Sequence, residues 1–266
     1  RMLEGVVTVK DLLMNDYEVK IEDIMDTNVI KAVTTDDKEE IADLFNKYDL
    51  LSLPVVDHEN RLVGIVTIDD AVDVMEEEAT EDFEKMAAML PSEKPYLKTS
   101  VLELAKNRIT WLLVLMVSSM LTGGILTRYE DAFKVMPLLV SFVPMLTDTG
   151  GNAGSQSSTM IIRGMTIGEI ASSDIPKVIW KEARVSVIVG IILGAVNFIR
   201  LVVQYPGKPL VALTVVLALF ATVFVAKVIG GMLPIAAKKL HLDPAIMAAP
   251  LITTIVDAVS LVIYFQ

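Results

Sequence analysis

A chain of 266 residues that is 53% hydrophobic, with a mean hydropathy of +0.55, is too apolar for an ordinary soluble domain. A net charge of −11 argues against nucleic acid as a partner, since phosphates would be repelled, and suits cations. The absence of cysteine excludes disulfides and thiolate metal sites and is compatible with a reducing cytosol.

The charge is unevenly spread. Residues 1–100 hold 25 acids against 10 bases, net −15, whereas residues 101–266 hold 9 against 13, net +4. An acidic soluble part therefore precedes a mildly basic membrane part. The chain begins at Arg1 without an initiator methionine or a signal peptide, and reads as a fragment lacking its natural start.

The soluble part repeats itself. "GVVTVKD" at 5–11 and "GIVTIDD" at 64–70 share glycine, two β-branched residues, threonine, an apolar residue and aspartate, 59 residues apart. Between them the pattern predicts strands over "VIKAVTT" (29–35), "LSLPVVD" (51–57) and "RLVGIVT" (61–67). A helix is predicted over 38–50, with Ile41, Leu44 and Phe45 on one face and Thr35 or Asp36 as its cap. This pattern resembles a CBS domain over residues 1 to about 80, with the tail of a first copy and a complete second copy. The resemblance implies that Thr8 with Asp11, and Thr67 with Asp70, hold the ribose of ATP or another adenine nucleotide. The same residues also suit a strand–Thr–x–x–Asp–helix junction, in which they cap the next helix.

Acids thicken after Asp70 in "DDAVDVMEEEATED", with Lys85 as the nearby base. Carboxylates three and four residues apart repel unless offset, which a hard divalent cation would do. A solvated helix face is the plainer alternative. Residues 81–108, with Phe83, Met86, Met89 and Leu90 at helical spacing, are read as a connecting helix.

Five apolar stretches follow, at about 109–127, 135–161, 178–203, 209–235 and 244–265. Lys98, Lys106, Arg108, Arg163, Lys177, Lys181, Arg184, Lys238 and Lys239 mark one side; only Arg128, Lys134, Arg200 and Lys208 mark the other. The positive-inside rule makes the first side cytoplasmic, together with the acidic domain, and places the C-terminus outside. The second stretch ends in "MLTDTGGNAGSQSSTM", where Asp148, Asn152 and Gln156 lie at i, i+4, i+8 on one face, as expected of residues beside a water-filled pathway. Gly150, Gly151, Gly154 and the serines can expose backbone carbonyls to a cation, or can let helices pack closely, as Gly190 and Gly194 are expected to do. In the fifth stretch Asp257 lies well inside an apolar helix that has no Lys or Arg, where an unpaired acid costs roughly 2.5–3.5 kcal/mol. A pathway role is favoured over a structural acid bonded through Thr253 or Thr254.

"PMLTDTGGNAGSQSSTMIIRG" and "DPAIMAAPLITTIVDAVSLVIYF", preceded by CBS repeats, resemble the MgtE family of magnesium channels across essentially the whole chain. The resemblance implies a five-helix transmembrane domain (109–266) after the α/β CBS region (1–80) and a plug-like connecting helix (81–108). It implies a homodimer in the cell membrane, in contact with lipid, with a pore on its two-fold axis and Mg²⁺ as the ion carried. Asp257 would be the central acid, and Gly150, Gly151, Asn152, Ala153, Gly154, Ser155 and Ala249 would surround the hydrated ion. Some members carry Asn where this chain has Ser155 and Ala249. Asp37, Glu39, Asp49, Asp70, Glu78, Glu81 and Asp82 match acids that sense cytosolic Mg²⁺, giving feedback closure.

A proton- or sodium-coupled cation transporter is the alternative, with Asp257 as the titrating group. An intramembrane metalloprotease would need an HExxH zinc site, and neither His58 nor His241 begins one, so no enzyme activity is expected. A scaffold without flux leaves Asp257 unexplained.

Overall fold

The computed structural model describes residues 1–92 and 94–266, which divide into two compact units, Arg1–Thr80 and Glu81–Gln266. In the first, short helices α1 (Val9–Met14) and α2 (Ile21–Ile24) precede strand β1 (Ala32–Val33), helix α3 (Lys38–Tyr48) and strands β2 (Ser52–Val56) and β3 (Leu62–Thr67). β2 is central in the sheet, parallel to β1 and antiparallel to β3. The β2–β3 turn closes because Asp57 Oδ1 accepts from the amides of Glu59 and Arg61, and Asn60 takes the left-handed backbone (φ 61°) that asparagine tolerates.

The expected strands and helix are all present, with two local differences. Asp37, not Thr35 or Asp36, caps α3 by accepting from the Glu39 amide, while Asp36 is drawn back to the Val33 amide at 2.7 Å. The segment matching β3 in the earlier repeat makes only isolated bridges, Met2 with Arg61 and Val6 with Asp26. A strand needs a neighbour to continue its ladder, and single bridges do not supply one.

Phe45, 2% exposed, centres a core with Ala32, Leu53 and Ala71, against which Ile41 and Leu44 pack. Phe45→Ala is expected to cost this unit about 3–5 kcal/mol, and the check is amide hydrogen exchange of Leu53, Val55 and Val56, which would lose their protection.

Helix α4 (Ile68–Met86) begins directly after β3. The expected connecting helix over 81–108 is not one helix. α4 stops at Met86, Ala88 turns with φ 53°, and among the described residues only a short 3₁₀ turn, Tyr96–Lys98, intervenes before α5 (Val101–Arg128). Pro91 and Pro95 explain the break, since each lacks an amide donor and disfavours helix in the residue before it. Ser100 then caps α5, accepting from the Glu103 amide.

Beyond α5 come the short α6 (Glu130–Val135), a 3₁₀ turn at Pro137–Phe142, α7 (Val143–Thr166), α8 (Ile175–Gln204), α9 (Pro209–Lys239) and α10 (Ala249–Phe265). By length and composition alone, three of the described helical stretches can cross a membrane: Val101–Arg128, Ser172–Gln204 and Pro209–Lys239. The 24 residues of α7 span roughly 36 Å, but its polar stripe lowers its hydropathy. α10, at 17 residues, is shorter than the usual span. The second expected span therefore starts eight residues late, at Val143, because Pro137 sits in a tighter turn and Pro144 occupies the first turn of α7.

α7 lies between α9 and α10 around Leu146, Val215, Val223, Ala226, Ile252 and Val256, and α8 packs on the other side of α9. α5 touches α10, and none of its apolar stretch is buried within the chain.

Candidate functional site in the helical unit

The polar stretch that should end the second span lies instead in the middle of a continuous α7, which runs on to Thr166. One face of it is tied to α10. Ser158 Oγ donates to the Met247 carbonyl at 2.6 Å, and Tyr264 Oη donates to the Leu139 carbonyl at 3.0 Å. These ends pair Ser158 with the start of α10 and Leu139 with its finish, so the two helices run antiparallel.

Between these ties a recess of ≈ 380 Å³ is lined by Pro144, Thr147, Asp148, Gly151 and Asn152 of α7 and by Thr253 and Asp257 of α10. Asp148 and Asn152 are exposed, and Asp257 is half-buried. Helical spacing does this on both sides: Asp148 with Asn152 and Thr253 with Asp257 are each i, i+4 pairs, so each helix turns two polar groups the same way. The Thr253 and Thr254 hydroxyls donate to the Pro250 carbonyl, not to Asp257. Among the described residues Asp257 has no hydrogen-bond or ion-pair partner. Two carboxylates sharing a recess repel, and a divalent cation between them relieves that directly.

Of the residues expected around the ion, Gly151, Asn152 and Asp257 line the recess. Gly150, Ala153 and Gly154 do not; the two glycines face α9 and α10, and Ala153 is buried in the helical core. A Cβ on Gly150 would meet Thr222 at 2.6 Å and Val256 at 2.9 Å, and one on Gly154 would meet Ile252 at 2.7 Å. Ser155 is half-buried, its Oγ without a partner among the described residues, and Ala249, the first residue of α10, is not among the residues lining the recess. Gly190 and Gly194 pack as expected, against Phe220 and Val216. Sequence reasoning did not count Thr147 and Thr253 as site residues, although the i, i+4 relation of Thr253 to Asp257 was visible. It also missed Lys227, a lysine inside "VFVAKVIGG" of α9 that is 5% exposed.

The acids expected to sense Mg²⁺ are held separately. Asp37 caps α3, Asp49 ends it in the left-handed conformation, and Glu39 follows the cap. Glu78 pairs with Lys38 at 3.0 Å, and Glu77 with the same lysine at 3.4 Å. Lys85 is thus not the sole offset to the acidic run: Lys38 reaches α4 from α3, and Glu78 in turn holds the Lys38 ammonium above the ordinary lysine range. Glu81 and Asp243 flank Lys85 at 2.5 and 2.6 Å. Burial would lower the Lys85 pKa, but the hydrogen bonds that Lys85 donates to Asp243 and Glu81 outweigh it and raise it. Asp82 lies 3.5 Å from the Thr166 hydroxyl. Among the described residues no three acids or histidines gather as a metal site within one chain.

The Thr–Asp pairs adopt cap geometry. Thr8 donates through its amide and hydroxyl to Asp11 Oδ2 at 3.0 and 2.6 Å, and Thr67 does the same to Asp70 Oδ2 at 3.2 and 2.6 Å. These bonds from the threonine side chain and backbone hold both carboxyls below the usual aspartate value.

Residues 143–266 match the family model MgtE, divalent cation transporter, and residues 21–77 match the CBS domain model. The chain is 38% identical over 265 residues to the magnesium transporter MgtE of Bacillus subtilis (strain 168), covering 100% of this chain and 58% of that protein. It is 38% identical over 264 residues to the magnesium transporter MgtE of Thermus thermophilus, covering 99% and 58%. It thus spans a little over half the length of these relatives. A solved cytosolic domain of the Mg²⁺ channel MgtE in complex with ATP is 46% identical to a segment covering 27% of this chain and 29% of that one, with a TM-score of 0.27.

Proposed function

This chain belongs to the MgtE family of divalent cation transporters, and on that premise we propose that it carries Mg²⁺ across the cell membrane along the recess between α7 and α10. The observation that carries the proposal is the meeting of Asp148 and Asn152 with Thr253 and Asp257 around one space, with no base lining it. Mg²⁺ gives up its water reluctantly, so a pathway of acids, amide and hydroxyls that touches the hydrated ion avoids the dehydration cost.

The functional unit is a homodimer, in which the recesses of two copies join on an axis. The unburied apolar surface of α5 supports this, since it needs either lipid or a second copy to cover it. The soluble unit lies in the cytoplasm and the C-terminus outside. Cytosolic Mg²⁺ closes the pathway by binding between acids of two copies, among them Asp37, Glu39, Asp49, Asp70, Glu78, Glu81 and Asp82. Sites completed by a second copy accord with the separate placement of these acids within one chain. Several weak sites suffice, because each adds its differential binding to one equilibrium. An adenine nucleotide would bind the CBS region by exchanging the Thr67–Asp70 bond for bonds to its ribose.

The experiment is Mg²⁺ flux into liposomes carrying the chain, with internal Mg²⁺ low and then high. Flux that falls as internal Mg²⁺ rises is the expected result. Absence of flux at low internal Mg²⁺ would defeat the proposal. Flux that follows a proton or sodium gradient at fixed voltage would replace the channel by a coupled transporter.

A further inference from the structure

Lys227 lies within the 31 residues of α9 and is 5% exposed. A charge inside a membrane helix is costly unless paired, and such residues normally face the bundle interior. The Lys227 ammonium donates to Ser157 Oγ on α7 at 3.4 Å, and that hydroxyl donates to Glu182 Oε2 on α8 at 2.6 Å. Ser157 is itself 3% exposed. One buried hydroxyl therefore joins a base and an acid from two helices to a third.

The place of Ser157 on α7 gives this network its consequence. Nine residues separate it from Asp148, which at 100° per residue turns it about 180° away. Asp148 and Asn152 face the recess from the front of α7, and Ser157 anchors its back. Around the anchor the helices approach through small residues: a Cβ on Gly231 would meet Glu182 Cγ at 3.0 Å, and one on Gly154 the Ala226 carbonyl at 3.2 Å. Small residues allow close approach, and here they bring both charged groups to one hydroxyl on the back of α7.

We propose that Lys227 and Glu182 are positioning residues whose charges balance each other through Ser157 behind α7, so that neither charge draws α7 out of the rotation that turns Asp148 and Asn152 into the ion pathway. The pair is neutral as a unit, so the field in the recess is left to Asp148 and Asp257. Loss of either partner leaves one uncompensated charge behind α7; loss of both leaves none. The inference rests on the transport proposal for its meaning, but its test does not.

Because the chain has no cysteine, an Asn152→Cys reporter is clean. Its labelling rate by a water-soluble methanethiosulfonate reagent would be measured in lipid vesicles, alone and combined with Lys227→Met, Glu182→Gln, both, or Lys227→Arg. Mg²⁺ flux would be measured in the same series without the reporter. Each single loss is expected to slow labelling and flux by about tenfold or more, because it leaves one charge uncompensated, with both returning to within about threefold of the parent in the double variant. Lys227→Arg keeps the charge and should stay near the parent. Singles that label at the parent rate would overturn the proposal, and so would a double variant no better than the singles. If the singles fail to assemble by gel filtration and the double assembles and labels normally, the charge pairing stands; if the double also fails, the network is only structural and the proposal falls. Parent protein that labels as expected yet carries no Mg²⁺ would sink the transport proposal alone.

Discussion

Asp257→Asn is expected to reduce Mg²⁺ flux at least about fifteenfold at subsaturating Mg²⁺, with the protein still folded. The size follows from the charge removed. A divalent ion about 5 Å from a carboxylate, one water layer away, gains roughly 1.7 kcal/mol even at the dielectric constant of bulk water, and more in a confined recess. That energy corresponds to a factor of about fifteen in occupancy. Asparagine keeps the shape and the polarity, so a loss isolates the charge. The check is ²⁸Mg²⁺ or indicator-dye uptake into liposomes, with gel filtration to confirm assembly. Asp148→Asn should have a smaller effect, because Asp148 is the more exposed of the two and solvent screens it more. Unchanged uptake for Asp257→Asn would remove this carboxylate from the pathway.

The second large effect is on assembly. A Cβ added to Gly230 would strike the backbone of Gly154, whose Cα lies 3.0 Å from that position, so no side-chain rotation can relieve the contact. Gly230→Val would force α7 and α9 apart and loosen the contact that sets the recess. A cost of at least about 3 kcal/mol is expected, read as a lowered unfolding midpoint in detergent or as loss of the assembled species. Gly194→Ala is the graded comparison. Its new methyl meets only Val216 Cγ1 at 3.1 Å, a side-chain atom that can shift, so its cost should stay below about 1 kcal/mol. Equal effects at the two positions would mean that backbone approach is not what limits α7–α9 packing.

Much of the site was readable residue by residue. An acid inside an apolar run announces itself through its transfer cost, which is how Asp257 stands out. The i, i+4 spacing of Asp148 and Asn152 put them on one face before any fold was known. The strands and the α3 core face followed from periodicity, as did five apolar stretches.

The tertiary structure decided which of these features meet. Gly150 and Gly154 allow close packing or exposed carbonyls by their type alone, and only the fold sets Thr222, Val256 and Ile252 opposite them. Lys38 was an ordinary surface lysine until α3 brought it to Glu77 and Glu78, and Lys227 was a lone base until Ser157 and Glu182 arrived from two other helices. The boundary is a physical one. Periodicity, proline breaks and the cost of burying a charge act within a few residues of one segment, and the amino-acid order carries them directly. The rotation of one helix against another is decided by contacts between residues dozens of positions apart, which exist only once the helices have packed.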